Sequence, residues 1–357
     1  MKNKNLAVIA FFVTAVVVFF TGCQDEIFNT IRDEIKLEDL TVRGHINSIV
    51  RYTTGGAEYI FTQNGNVYYK DSSIGYHTDW TKDPTLKGTA VKLAADGTYI
   101  YALLAKWAND ETEGKWVRVG SSVVCKNGIS GAWTTVHEID GNTTVILFCT
   151  NAAQNANRRA YVRIGTSVYS LNGTSAPSIV ATGSTNASTV PTTSTQSAVF
   201  NPSDGNTYFF NSSASVTNET STLAATHMYY AEGDHIYHTS TASVFWTGLD
   251  VGSATIYSMS YTADYLVLGT SRGYQRCALS SNVPTGSINN DFSNASSTLS
   301  AYYEVWAILA VDPSATEAGN SIYAALDYSG SSSSTSAVFK NIGLWGYYAS
   351  RGKWNRE

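Results

Sequence analysis

The string Gly269-Thr270-Ser271-Arg272-Gly273 satisfies G-x-S-x-G, the spacing that lifts a nucleophilic serine onto a sharp strand-to-helix turn. Here a strand-like run, Tyr274 to Leu279, follows the serine, so Ser271 is expected in a hairpin turn without the helix the chemistry needs. The six histidines are His45, His77, His137, His227, His235 and His238. His235 and His238 stand three apart on one strand, which places them on opposite faces rather than around one metal, and all six read as imidazoles at the aqueous edge. The acidic run Asn109-Asp110-Glu111-Thr112-Glu113 offers oxygen ligands for Ca²⁺ but lacks the alternating Asp and the Gly of a calcium loop, so a solvated surface loop is expected. No Walker loop, Rossmann fingerprint, HExxH or zinc-spaced Cys/His set occurs. No catalytic, cofactor-binding or metal-binding residue is therefore assigned from these patterns, and no cofactor is expected.

One residue does carry a reaction. Lys2 and Lys4 precede an apolar run from Leu6 to Phe20 that only Thr14 interrupts, the n-region and h-region of an export signal. About fifteen apolar residues are marginal for a permanent span, which needs roughly 17 to 25. The Phe20-Thr21-Gly22-Cys23 that follows resembles the lipobox of bacterial lipoproteins, with Phe20 where that family usually has Leu. The resemblance implies a diacylglycerol thioether on Cys23, cleavage before it, and a membrane held as partner through the lipid. Each buried methylene contributes about 0.8 kcal/mol, and two or more acyl chains anchor a protein stably. Residues 1–22 are thus expected as the signal peptide and residues 23–41 as lipidated cysteine and tether. Cys125, Cys149 and Cys277 remain, in strand-like stretches, as small buried hydrophobes of which at most two can form a disulfide.

The elements beyond the tether are read from composition and repetition. The chain has 23 Tyr, 13 Phe and 8 Trp, with 14% charged residues and a formal net charge of -5. Aromatic and β-branched types suit pleated, half-buried surfaces, so the body is expected to be all-β. A chain without a concentrated basic surface is not expected to bind nucleic acid. An apolar strand, a Gly-containing turn and a second aromatic strand recur six times, at 59–69, 116–124, 161–169, 228–237, 265–274 and 338–348. Trp80, Trp133, Trp246 and Trp354 follow four of the copies. Further strands are expected at Val91 to Ala94, Tyr99 to Leu104, Val145 to Cys149, Val199, Tyr208 to Phe210, Ile256 to Tyr261, Val305 to Val311 and Ile322 to Leu326.

Four strands in about 45 to 55 residues is the size of one propeller blade, and a blade must stack on others to bury both faces. A β-propeller over residues 42–357 follows, with six blades favoured and a seventh left open by the long gaps before Met228 and Val338. A β-sandwich is the competing fold. Polar Ser/Thr/Asn stretches at 182–197, 212–222, 280–298 and 329–336 are expected as exposed loops.

Lys126-Asn127-Gly128-Ile129-Ser130-Gly131-Ala132-Trp133 resembles the Asp-box of the sialidase-like propellers, S-x-D-x-G-x-T-W, a turn that joins the outer two strands of a blade. Lys70-Asp71-Ser72-Ser73-Ile74-Gly75 with Trp80 is a looser relative. The first lacks the Asp and the second stretches the spacing, so the resemblance implies architecture rather than activity. Arg163-Ile164-Gly165 resembles the Arg-Ile-Pro signature of the same family without its Pro. The function expected is a membrane-anchored, non-enzymatic binding or scaffold module of the cell envelope, with an envelope protein or a glycan as ligand. The alternative is a sialidase-like glycosidase or lyase working at the channel, which would need convergent charged groups there.

Overall fold

The computed structural model describes residues 42–73, 80–149, 160–165, 167–182, 198–201, 206–210, 216–218, 228–232, 235–239, 247–250, 254–281, 283–289, 303–312, 314–328 and 342–357. They belong to one compact unit, Thr41–Glu357. Cys23, the export signal and the tether lie outside the described residues.

The unit is built from antiparallel sheets in which each strand pairs with the next in sequence. Blade 1 comprises β1 (Ile49–Thr54), β2 (Ala57–Gln63), β3 (Val67–Asp71) and β4 (Thr81–Lys82). Blade 2 holds β5 (Thr89–Ala95), β6 (Ile100–Asp110), β7 (Lys115–Lys126) and β8 (Thr134–Asp140). Blade 3 holds β9 (Val145–Cys149), β10 (Ala160–Ile164), β11 (Ser167–Leu171) and β12 (Ser178–Thr182). Blades 4 and 5 show three strands each among the described residues: β13 (Ala198–Asn201), β14 (Asn206–Phe210) and β15 (Val216–Asn218), then β16 (Met228–Glu232), β17 (His235–Thr239) and β18 (Thr247–Asp250). Blade 6 is β19 (Ile256–Tyr261), β20 (Tyr265–Thr270), β21 (Gly273–Ser280) and β22 (Val283–Asn289). Blade 7 is β23 (Tyr303–Ala310), β24 (Ser321–Tyr328), β25 (Gly343–Tyr348) and β26 (Lys353–Arg356).

Neighbouring sheets meet first strand on first strand: β1 on β5, β5 on β9, β13 on β16, β16 on β19, β19 on β23, and β23 back on β1. First strands are therefore innermost, and the return from blade 7 to blade 1 closes a β-propeller. Among the described residues seven sheets replace the six favoured from hairpin count, and the extra blade is β13–β15, in the gap before Met228 where a seventh was left open. Val199 and Tyr208 to Phe210 are strands expected from the sequence, outside the six copies of the hairpin that set the count. The stretches expected as loops at 212–222 and 280–298 contain β15 and β22, outer strands with little core to fill, so their polarity is compatible with pairing.

Because a blade is sandwiched between two others, the inner strands of blades 1, 2, 3, 6 and 7 bury apolar residues on both faces. Packed clusters join blades 7 and 1 (Ile46, Ile49, Ile60 with Leu309, Tyr323, Leu344), 1 and 2, 2 and 3, and 6 and 7. Buried tyrosines keep their hydroxyls satisfied: Tyr52 donates to the Thr98 carbonyl at 2.9 Å and accepts from the Gly128 amide at 2.8 Å. Tyr101 repeats the device one blade on, donating to Asp96 and accepting from the Gly173 amide at 2.7 Å. Each tyrosine thus ties one blade to the outer turn of the next.

Four expected hairpins form, at β2–β3, β10–β11, β16–β17 and β20–β21. Ser271 sits in the last of these turns, with its amide donating to the Thr255 carbonyl and its Oγ accepting from the Thr255 amide. Two hairpins differ. Gly120 is not a turn: β7 continues through it, beside a register shift, and the hairpin closes at 111–114 instead. The glycine is required there because a Cβ would lie 2.5 Å from the Ile139 carbonyl oxygen of β8. Gly120→Ala is expected to cost about 1–3 kcal/mol by forcing β7 and β8 apart, read as a lower urea midpoint. The last copy pairs differently too, since β25 bonds to β24 and β26, and Val338 to Asn341 lie outside the described residues.

The Asp-box-like segment 126–133 does join the outer strands of its blade, β7 and β8. The carboxylate its motif lacks comes from the preceding blade. Asp83, just past β4, accepts from Lys126 Nζ at 2.7 Å and from Trp133 Nε1 at 3.1 Å. The looser relative repeats this one junction earlier: Glu357, just past β26, accepts from Lys70 Nζ at 2.7 Å and from Trp80 Nε1 at 2.9 Å. In both, the ammonium lies over the indole, at 5.7 Å for Lys70 and 5.8 Å for Lys126. The Lys and Trp of each segment form a staple between blades, with Tyr348 adding a third donor to Glu357 at 2.6 Å.

Candidate functional site

Inner strands are expected to be apolar, so partly exposed polar and aromatic side chains on them stand out. Two such groups meet on the segment 43–48 that leads into β1. In the first, Tyr257 of β19 and Trp306 of β23 stack face to face, with centroids 4.3 Å apart and planes 3° from parallel. Glu304 fixes both rings: its Oε2 accepts from Trp306 Nε1 at 2.9 Å, and it also takes the Tyr257 hydroxyl. Burial, then the Glu304 charge, raises the Tyr257 pKa, so the phenol stays protonated and keeps donating. The His45 ring meets Trp306 edge-on at 5.1 Å, and His45 Nδ1 hydrogen-bonds to Asp327 Oδ2 of β24 at 2.5 Å. The His45 side chain is 48% exposed, which presents an Asp-oriented imidazole beside an aromatic stack.

In the second group, Lys92 of β5 donates to the Asn47 carbonyl at 2.7 Å. Gln63 Nε2 holds the Asn47 amide oxygen at 2.7 Å and the Val91 carbonyl at 3.2 Å. The residue Lys92 is half-buried, but its ammonium end is enclosed, and desolvation pushes its pKa down to about 8 against a small opposing effect of Cys149. The unfolded chain, with an ordinary lysine pKa of about 10.4, holds the proton longer, so this residue lowers stability below pH 8 and the deficit fades between about 8 and 10.5. Lys92→Met is accordingly expected to stabilise the protein at pH 7 and to lose that advantage as pH rises through this window, read by denaturant melts across pH.

The residues singled out by pattern lie elsewhere. Arg163, on β10 opposite Ile146 of β9, is buried and donates from Nε to the Gly165 carbonyl at 2.9 Å. Asp110 turns its Oδ1 onto the Thr112 and Glu113 amides and so shapes the 111–114 turn. No disulfide joins Cys125, Cys149 and Cys277; burial pushes the Cys125 thiol up to about 11 and raises that of Cys277. His77 and His227 lie outside the described residues, and no metal-holding group of His, Cys, Asp or Glu occurs among those described. Tyr257, Glu304, Trp306, Asp327, Lys92, Asn47 and Gln63 were not singled out from the sequence. Lys92 did carry a signal, as the one charge in Thr89-Ala90-Val91-Lys92-Leu93-Ala94-Ala95.

No helix among the described residues is long and apolar enough to cross a membrane. No protein-family model and no curated protein matches the chain. Among solved structures it is similar to the PQQ-bound aldose sugar dehydrogenase of Streptomyces coelicolor, at TM-score 0.42 and 8% identity, over 86% of this chain and 96% of that one. It is also similar to the extracellular domain of a proposed one-component system of B. thetaiotaomicron, at TM-score 0.40 and 11% identity, over 79% of this chain and 32% of that one.

Proposed function

We propose that this chain is a bacterial lipoprotein whose propeller, tethered to a membrane of the cell envelope by lipid on Cys23, is a non-enzymatic binding or scaffold module. The observation that carries the binding half is the partly exposed Tyr257–Trp306 stack on the inner strands, locked by Glu304. Rings held rigidly in advance anchor a ligand or partner at low entropic cost. The carboxylates beside them are already engaged, Glu304 by the two aromatic residues and Asp327 by His45. Lys70, Lys126 and Arg276, which a charge-driven reaction would need free, are committed to Glu357, Asp83 and Glu317 in contacts between blades.

Two measurements test the two halves. In detergent phase separation the native chain is expected in the detergent phase and Cys23→Ser in the aqueous phase; a native chain with a free thiol in the aqueous phase overturns the anchor. Binding of envelope extracts is expected to fall about tenfold in Trp306→Ala. A second reading, a glycosidase or lyase, draws on the half-exposed His45–Asp327 pair as an oriented base. Turnover of a glycan that disappears in His45→Ala would replace the first reading with this one.

A further inference from the structure

Among the described residues the β6–β7 hairpin is the longest, with strands of 11 and 12 residues, and its outer half from Lys106 to Val119 runs beyond the pairing of β5 and most of β8. Val119 is an extra residue at the register shift where this arm departs. Trp107 pairs with Arg118 and Asn109 with Trp116, and paired residues share a face, so the two indoles are diagonal neighbours on one side of the ribbon, with Cβ atoms about 7–8 Å apart. Trp107 is 51% exposed and Trp116 68%, which leaves indole surface in water where folding would ordinarily bury it.

The opposite face is accounted for: Ala108 and Val117 are half-buried, and Lys106 pairs with Glu138 of β8. The Trp face is left with Asn109, an exposed amide, and Arg118, whose guanidinium is spent on the Gly120 carbonyl and Ser121 Oγ. The face therefore alternates indole with hydrogen-bonding groups, and along the arm the charges of Lys106, Lys115 and Arg118 are balanced by those of Asp110, Glu111 and Glu113. At the turn beyond it stand Glu111 and Glu113, the latter paired with Lys115. Acidic groups at the tip oppose anionic polymers and anionic bilayers, and resist insertion of the tip into lipid.

We propose that this arm is a binding site for an uncharged glycan chain, lying along Trp107 and Trp116 with its hydroxyls on Asn109. Pyranose rings present an apolar C–H face and a polar rim, which matches indole flanked by an amide. Charge balance selects the uncharged class, since the arm's three basic and three acidic side chains offer neither a cationic nor an anionic ligand a net counter-charge. The inference rests on the reading of the chain as an envelope binding module and names a ligand class and a second site for it.

The test is affinity electrophoresis of the full chain extracted in neutral detergent, through gels containing laminarin or hydroxyethyl cellulose, with alginate as the anionic control. Retardation by an uncharged glucan is expected, about tenfold weaker in Trp107→Ala and in Trp116→Ala and lost in the double variant, with alginate ineffective. Because the arm lies outside the inter-blade clusters, the double variant should keep the parent's melting temperature to within a few degrees. The inference is overturned if neither glucan retards the chain, if the double variant is retarded like the parent, or if alginate serves equally well. A native chain that stays out of the detergent phase defeats the anchored-module reading whatever the gels show. A correctly anchored chain that ignores glucans defeats this inference alone.

Discussion

Glu357→Ala should lower the stability of the propeller by about 3–5 kcal/mol, because it strands a fully buried ammonium. Lys70 and Glu357 are both sealed from water, at 0% side-chain exposure each. Removing the carboxylate takes from Lys70 Nζ its ion-pair partner, leaving it the Tyr348 hydroxyl at 3.0 Å, and takes an acceptor from Trp80 Nε1 and from Tyr348. Three buried donors lose this one acceptor in a single substitution. In a domain of this size the loss corresponds to a fall in Tm of roughly 5–10 °C in a thermal scan. Glu357→Gln keeps one acceptor oxygen and should recover part of it. Lys70→Met with Glu357→Leu should come closer to the parent than either single change, since a buried pair replaced by packed apolar groups is often neutral. A double variant as unstable as the sum of the singles would show that the contact is not coupled.

Asp83→Ala is the matching expectation at the next junction, with a loss of similar size, about 3–5 kcal/mol, for the same reason. Lys126 and Asp83 have side-chain exposures of 1% and 0%, and Asp83 also orders its own turn by accepting the Thr85 amide at 2.8 Å. Burial raises the Asp83 pKa, but Lys126 and the Thr85 hydrogen bonds outweigh it, so the net shift is downward. A carboxylate with a lowered folded pKa contributes stability that is complete above its unfolded value, about 3.9, and drains away as pH falls through the folded one. The parent should therefore lose stability between neutral pH and the low acid range more steeply than Asp83→Asn, which has nothing to protonate. Parallel urea melts at pH 7 and near pH 3 check the sign; equal slopes for the two proteins would contradict it.

The all-β class and the repeated hairpin were legible because alternation and Gly-bearing turns are local properties. Tyr59 to Tyr69, Tyr161 to Tyr169 and Tyr265 to Tyr274 each form the expected hairpin. What depends on a distant chain segment was not legible. Gly120 looked like a turn residue, yet it answers to the Ile139 carbonyl on the neighbouring strand. Blade 4 escaped the count because Val216-Thr217-Asn218 has no apolar pattern of its own. The inner-strand group was hidden for the same reason: His45 and Asp327 are 282 positions apart, and no spacing within a strand announces their contact. The Asp-box-like segments sit between the two cases. Their Lys, Gly and Trp were visible, while the carboxylate that gives them a role arrives from another blade.

The seam between the last blade and the first has a consequence for how an exported chain would mature. Both flanking sheets are built from consecutive strands, so no strand is shared across the seam; side-chain packing joins them, with hydrogen bonds from His45 to Asp327 and from Arg51 to the Val311 carbonyl and the staple whose partners are 287 positions apart. In a chain exported from its N-terminus, blade 1 would emerge before Glu357, the carboxylate that meets Lys70 in the closed ring. The ring would then stay ajar until β26 arrived, which would make the open seam the surface a holdase or a protease met first.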